Sequence, residues 1–483
     1  MAKVRINDVI IVLPGITGSV LQKDGKDVWA ASGTAIWKGL TSNFASIKDI
    51  KIAGEDDPDL DDLGDGIQAT RLIDDVHIVP GLFKITGYTG LRSLFSKQFE
   101  VRKGSLVNKE PANYFEFPYD WRRHNRVSAR MLKYFVDERL KIWRDYTGNK
   151  KAKIILIAHS MGGLVSRYFL EVLGGRRDCR ALFTFGTPFR GSINAVNMVA
   201  NGYKNALIDL TETMRTFTAV YQLLPRYRAI KIGNEYVRAA ETDAIPNLSQ
   251  DKAQAALDFI YEIDDAIKTN QKFDKYQTDG YLLKPLVGIR QKTYQSAVVV
   301  NDKLEAKYTA PDLVQPHLAD GDSTVPRVSA IPVDMSDQLL ETYRSEKHAN
   351  LQDNDDLLQQ LYQWIKLTQS NIKAIRGADP AHDIDSEPAI SLSIDDYYSF
   401  GEPVVISADT FNLDDYDGEI IAKIQSTMPG ERSIQINLCK VEQGYEARLE
   451  GTTSGSYQIT LEATKNAIPQ VKDIFVIGAE SVS

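Results

Sequence analysis

Residues 154–163 read Ile-Ile-Leu-Ile-Ala-His-Ser-Met-Gly-Gly. An apolar run of strand length ends at a serine set among small residues, and Leu164, Tyr168 and Phe169 then recur at helical spacing. A chain with this pattern has to leave a buried strand through one sharp turn and enter a helix directly. The turn lifts the Ser160 hydroxyl above the sheet, and the backbone two residues to either side then packs so closely that it tolerates little side chain. Those positions are Ala158 and Gly162; alanine stands where a first glycine is usual, and its single methyl still fits. Ala-x-Ser-x-Gly also arises by chance in long chains. The strand before it and the helix after it favour the elbow.

The rest of the first 370 or so residues repeats the strand–helix rhythm. Val9 to Leu13 reads as a buried strand followed by Pro14-Gly15-Ile16-Thr17-Gly18-Ser19. Leu91, Leu94, Phe95 and Phe99 have helical spacing, Tyr114 to Pro118 reads as a short strand, 127–144 as an amphipathic helix ending near Gly148, and Ala181 to Phe185 as another strand. Strands alternating with helices imply a parallel sheet in an α/β protein. Residues 193–275 interrupt the rhythm with mostly helical patterns, as a cap inserted above the sheet would, and Leu286 to Ile289 and Ala297 to Val300 resume strand character. The pattern at 354–375 reads as the last helix. Beyond Gly377 to Asp383, short alternating runs recur at 390–394, 403–407, 419–425, 433–438, 445–449, 457–462 and 474–477, with turn signals such as Pro429-Gly430 between them. Short strands at that density predict an all-β sandwich of the immunoglobulin-like kind.

Composition sets the outer bounds. At 483 residues, two or three domains are expected, and 43% hydrophobic with 25% charged residues is the balance of a soluble globular protein. A net charge of −8 argues against nucleic acid as a partner. Cys179 and Cys439 lack the spacing of a disulfide framework or a zinc site. The first residues carry no signal-peptide core and no stretch is apolar enough to span a bilayer, so a cytoplasmic location is expected, with room for peripheral membrane contact. Glu55 to Asp62 is strongly acidic but lacks calcium-loop spacing, and reads as a solvated loop.

A serine hydroxyl needs a base, and the base needs an orienting carboxylate. In folds with such an elbow the chain order is serine, acid, histidine. Of the six histidines, His77 and His124 precede the serine and His159 adjoins it pointing away, which leaves it structural. His348, just before the last helix, is the candidate base, with His382 a second choice. The candidate acid is Asp322 in Asp320-Gly321-Asp322-Ser323-Thr324-Val325-Pro326, with Asp320 as the alternative. An oxyanion needs two backbone N–H donors. Met161 follows the nucleophile, and Ile16 lies in the Pro-Gly loop after the first strand, where Gly15 lets the backbone turn inward. This chemistry requires neither metal nor organic cofactor.

Six segments in order then carry a family resemblance: Val12 to Ser19 with Trp29 soon after, Pro118-Tyr119-Asp120-Trp121-Arg122, Ala158 to Gly163, Gly186-Thr187-Pro188-Phe189-Arg190-Gly191-Ser192, Tyr221-Gln222-Leu223-Leu224-Pro225, and Gly321 to Pro326. Over roughly residues 7–370 the chain resembles the lecithin:cholesterol acyltransferase family, which includes lysosomal phospholipase A2 and phospholipid:diacylglycerol acyltransferase. The resemblance implies an α/β-hydrolase fold with Ser160, Asp322 and His348 as the triad and Ile16 and Met161 as the oxyanion hole. It implies a lid at about 30–80, with Trp29, Trp37 and Leu40 as candidate apolar contacts to a membrane or, equally, as scattered core residues. Asp120 and Arg122 read as a buried pair supporting the site. The expected organisation is a hydrolase domain over 1–376 with a cap at about 193–285, a linker at 377–387 and a sandwich over 388–483.

The function that follows is a serine-dependent lipid acyl hydrolase or acyltransferase acting on an acyl ester. Two rivals stand beside it: a soluble carboxylesterase on small esters, and a binding or scaffold protein with a vestigial site. The sandwich lies outside the resemblance and reads either as a module for a protein partner or as a passive cover on one edge of the hydrolase.

Overall fold

The computed structural model describes residues 3–30, 50–74, 77–79, 83–204, 209–273, 276, 280–335, 343–370, 387–413, 416–427, 433–465 and 468–478. Trp37, Leu40, His382, the turn at 429–430 and nearly all of the expected linker lie outside these residues.

Among the described residues the central sheet holds six parallel strands: β1 (Val9–Leu13), β2 (Tyr114–Glu116), β3 (Ile154–His159), β4 (Cys179–Phe185), β5 (Leu282–Gly288) and β6 (Tyr343–Arg344). Their order is β6-β5-β4-β3-β1-β2. Every residue of β1 and β3 is buried, as strands covered on both faces must be. The two-residue period sorts them. Val9, Ile11, Leu13, Ile154, Leu156 and Ala158 face one core, shared with Leu132, Val136 and Leu140 of α2 (Asn125–Thr147). Ile10, Val12, Ile155 and Ile157 face the other, where they meet α1 (Thr89–Gln98) and α6 (Asp355–Ser370) through Leu91, Phe95, Leu361 and Ile365. Helix α2 ends where Gly148 takes the left-handed conformation. Phe99 leaves α1 and begins a short strand, Phe99–Glu100, that pairs with Val4–Arg5.

Between these, α3 (Gly162–Arg167) follows Ser160 directly, α4 (Ile193–Asn201) opens the insertion and α5 (Gln250–Asn270) is its longest helix. The insertion is not all helical. Ile230–Ile232 pairs with Glu235–Val237 and with Ser296–Val300, which in turn pairs with Lys303–Lys307. The Ala297 to Val300 run is therefore a strand of this small sheet and not of the central one. Among the described residues no helix is long and apolar enough to cross a membrane.

The C-terminal strands are β7 (Tyr397–Tyr398), β8 (Val404–Ala408), β9 (Ile420–Ser426), β10 (Ile434–Asn437), β11 (Cys439–Lys440), β12 (Tyr445–Leu449), β13 (Gly455–Ala463) and β14 (Val471–Ile477). They form sheets of order β7-β14-β13-β9-β10 and β8-β12-β11 around one core that includes Val404, Ile406, Ile420, Ile424, Ile459 and Phe475. The run at 390–394 forms a strand only at Ala389–Ile390. Past that point its backbone turns to other partners: the Leu392 N–H donates to Gln291 Oε1 at 3.1 Å and the Ser393 N–H to the Ser407 carbonyl at 2.8 Å.

Candidate active site

Ser160 sits at φ 51°, a left-handed conformation that a serine adopts only where its surroundings impose it. Three contacts do so. Its N–H donates to the Phe185 carbonyl at 2.8 Å, its carbonyl accepts from the Thr187 hydroxyl at 2.8 Å, and the Gly163 N–H closes the turn at 3.0 Å. The Pro14–Gly15 backbone then comes so near that side chains are excluded. A Cβ on Gly162 would lie 2.5 Å from the Pro14 carbonyl oxygen, and one on Gly15 would lie 2.8 Å from Ser160 Cβ. Ala158 faces Leu13 and Thr184 within the sheet and is fully buried, so its methyl is accommodated.

The loop between β6 and α6 brings His348 to this serine. His348 Nε2 is 2.9 Å from Ser160 Oγ, and His348 Nδ1 is 2.7 Å from Asp322 Oδ2. The other Asp322 oxygen accepts the N–H groups of Val325 at 2.7 Å and Thr324 at 3.0 Å, and the Asp322 carbonyl accepts the His348 N–H at 2.7 Å. Serine, imidazole and carboxylate thus form one hydrogen-bonded line, nearly all of it buried. Asp320 is engaged elsewhere: it accepts the Arg290 N–H at 2.8 Å.

Gly15 lies against Ser160, Met161 follows it in the chain, and Ile16 lines the cavity in front of it. Among the described residues neither the Ile16 nor the Met161 N–H has a hydrogen-bond acceptor. Asp120 and Arg122 do not reach this cavity. The fully buried Arg122 guanidinium grips Asp120 with two bonds (2.9 and 2.5 Å), and it also binds the Ile50 carbonyl and Asp65, both at 2.9 Å. The pair therefore pins the segment around residues 50–65 to the body of the protein.

The acidic stretch beside it is only partly solvated. The Asp56 side chain is buried and binds Arg123 Nε at 3.0 Å and the His124 N–H at 2.6 Å. Trp29 is also buried, edge-on to Trp121 at 5.0 Å, with its indole N–H on the Thr17 carbonyl. It is a core residue and not a membrane contact.

Two features escaped the sequence reading. His159 does more than fill space. The Gly15 N–H donates to the Tyr88 hydroxyl at 2.9 Å, that hydroxyl lies 3.2 Å from His159 Nδ1, and His159 Nε2 lies 3.2 Å from the His348 carbonyl oxygen. One set of roles satisfies all three contacts: Tyr88 donates to Nδ1 and a neutral His159 donates from Nε2. Burial, and the charge His348 would carry, hold the His159 pKa well below its usual value and keep the ring neutral. The Ser160 turn and the His348 loop are thereby linked. A polar aromatic 71 residues upstream carries no local signal for such a role.

The second feature is the strand β14. Lys347 and Glu346, which precede His348, are both buried. Lys347 Nζ pairs with Asp473, and Glu346 Oε1 accepts the Lys472 N–H at 3.2 Å. Lys84 joins the cluster by pairing with Asp473 at 3.0 Å and with Asp396. Burial works against the Asp473 carboxylate, but the Lys347 and Lys84 ammoniums overcome it and hold its pKa below the ordinary value of 3.8. An aspartate within the apolar run Val471–Ile477 was the available signal.

Ser160 and His348 open on a cavity of about 470 Å3, within the range of small-molecule sites. Met198, Val220 and Leu223 of the insertion contribute apolar surface, and so do Leu392 and Ile394 of the C-terminal region. Among the described residues no cluster of three or more histidine, cysteine, aspartate or glutamate side chains is arranged to hold a metal ion.

No curated protein matches the chain. Among solved structures, a Bacillus licheniformis lipase, BlEst2 in its propeptide form, aligns over 97% of this chain and 93% of its own at 11% identity. Its TM-score of 0.31 makes the likeness too distant to inform the site. The model of the lecithin:cholesterol acyltransferase family matches residues 84–338, more than half of the 483. That span carries the elbow, the insertion and the Asp322 loop, and on it rests the assignment: the chain belongs to the lecithin:cholesterol acyltransferase family, and its chemistry in general terms is that of a lipid acyl hydrolase or acyltransferase.

Proposed function

We propose that the protein is a serine-dependent phospholipase or lipase that works through an acyl-enzyme on Ser160. The observation that carries this reading is the line Ser160–His348–Asp322, at 2.9 and 2.7 Å, opening on a cavity with apolar surface. His348 takes the Ser160 proton on Nε2 as Oγ attacks the ester carbonyl. Asp322 holds the imidazole by its Nδ1–H and stabilises the imidazolium that forms. The tetrahedral oxyanion rests on the Ile16 and Met161 N–H groups, which is where unengaged donors are of most use. His348 then returns the proton to the departing alcohol, and the acyl group stays on Ser160. Water activated by His348 releases a fatty acid, or a second alcohol takes the acyl group. Hydrolysis is the preferred outcome because it requires no second binding site. We divide the chain into a hydrolase domain over 1–376 and a sandwich over 388–483, and assign peripheral lipid contact to the lid around residues 30–80.

The test uses wild type and Ser160→Ala with a mixed lipid extract, with and without a long-chain alcohol or a sterol, and identifies products by mass. Ser160-dependent fatty acid is the expected result, and new esters would make the protein an acyltransferase. Turnover confined to short, water-soluble esters would make it a carboxylesterase. No Ser160-dependent product from any ester would sink the proposal.

A further inference from the structure

The segment 391–396 belongs in sequence to the C-terminal sandwich, yet Leu392, Ile394 and Asp395 line the same cavity as Ser160 and His348. The loops that carry the acid and the base hold it there. Gln291, almost fully buried, makes three of the links. Its backbone N–H donates to the Gly321 carbonyl at 2.9 Å, next to Asp322. Its side-chain Nε2 donates to Ser345 Oγ at 3.0 Å on the His348 loop, and its Oε1 accepts the Leu392 N–H at 3.1 Å. Ser345 Oγ in turn donates to the Ile390 carbonyl at 2.7 Å. At the far end of the segment, Asp396 pairs with Lys84, which also pairs with Asp473. Both ends of residues 390–396 are therefore tied to the parts that hold the triad.

Within the segment the two apolar side chains differ. Leu392 is buried at 2% exposure, whereas Ile394 is only partly buried and borders the cavity. A passive cover would leave the cavity complete without it, and a separate binding module would face away. Here a side chain of the sandwich borders the space in front of the nucleophile.

We propose that the sandwich is part of the substrate pocket, with the Leu392–Asp396 segment as one wall and Ile394 as a residue that sets which acyl chains fit. This rests on the reading of Ser160 as the acylated nucleophile. An alkyl chain bound beside Ser160 would lie against Ile394 together with Met198, Val220 and Leu223 from the insertion. The acyl preference would then come from two regions far apart in sequence, and only the insertion lies within the matched family span.

The experiment uses full-length protein carrying Ile394→Trp or Ile394→Ala, with Val441→Ser as a control at an exposed site of the sandwich that does not line the cavity. The probes are 4-nitrophenyl esters of four to sixteen carbons, read as kcat/KM for each length. A fluorophosphonate label, with Ser160→Ala as reference, reports whether Ser160 is reactive. Ile394→Trp is expected to lower the long-to-short ratio by about tenfold or more, the scale on which pockets discriminate alkyl bulk. Ile394→Ala is expected to shift the ratio the other way, and Val441→Ser to keep the wild-type ratio. A general loss of folding would reduce all lengths alike; should the tryptophan variant fail to fold, the alanine variant decides. Wild-type ratios in the folded Ile394 variants, with Ser160 labelled and ester turned over, would overturn the wall and leave the proposed function standing. Absence of labelling in the wild type would overturn both.

Discussion

The contact between Ser160 and His348 is held from two sides by different physics. On the serine side the elbow is fixed by close approach of backbone: Gly15 and Gly162 leave no room for a Cβ, and hydrogen bonds from Thr187 and to Phe185 hold a strained serine. On the histidine side the loop is held by charge: the buried Lys347 and Asp473, joined by the partly buried Lys84 and Asp396, with Glu346 gripping the neighbouring backbone. Packing of small groups is short-ranged and tolerates little error. A buried ion cluster contributes little net stability when intact but costs heavily when one partner is removed. The serine side should therefore fail in activity before stability, and the histidine side in stability before activity.

The largest expected effect tests the serine itself. Ser160→Ala should lower acyl-ester turnover by about 10⁴-fold or more, with the thermal unfolding midpoint close to wild type. Gly15→Ala comes next. Its methyl would press on Ser160 Cβ, and a displacement of that size at a nucleophile costs about 10²-fold in turnover. A stability loss larger than the activity loss at this position would break the comparison.

Asp473→Asn should invert the pattern. It takes the carboxylate from the buried Lys347 ammonium and leaves the partly buried Lys84 with Asp396, at a cost of about 3–5 kcal/mol in chemical denaturation, with turnover in the surviving folded fraction reduced about tenfold or less. The same cluster predicts a pH dependence. Because the folded Asp473 pKa lies below 3.8, its contribution is present above that pH and lost as pH falls through the folded value. Lys84, whose pKa the same carboxylates hold above 10.5 against burial, contributes below that value and loses it as pH rises further. Denaturation followed across pH should show a weaker acid-side slope in Asp473→Asn than in wild type. The smallest effect is expected from Ala158→Gly, which restores the usual elbow glycine. Stability should fall by about 0.5–1 kcal/mol from the added strand flexibility, and turnover should stay within about twofold.

How legible this site was depends on how locally each part is specified. The elbow could be read because strand, turn and helix are contiguous and each leaves a periodic signature around Ser160. His348 and Asp322 could be read because chain order and a small set of histidines narrow the choice, and the structure places His348 on the serine, Asp322 on His348, and Asp320 elsewhere. Trp29 stayed open between membrane contact and core residue because an exposed aromatic and a core aromatic look alike in one dimension, and the structure buries it. Asp56 misled in the opposite sense, since a carboxylate in an acidic run reads as solvated until Arg123 is seen to meet it. The roles of Tyr88, His159 and Gln291 were invisible: each has a partner 73 to 189 residues away, and their own neighbours in sequence say nothing about which polar groups will be buried together.

From its sequence alone, then, the chain is a doubly covered parallel sheet with a serine elbow and an appended set of short strands, because hydrophobic period and turn chemistry are local properties. Where the appended strands sit was decided only by the tertiary structure. Asp473, Gln291 and Ile394 acquire their roles through pairings between distant segments, and burial of an ion cluster or a hydrogen-bonding amide depends on shape complementarity that no single stretch of sequence encodes.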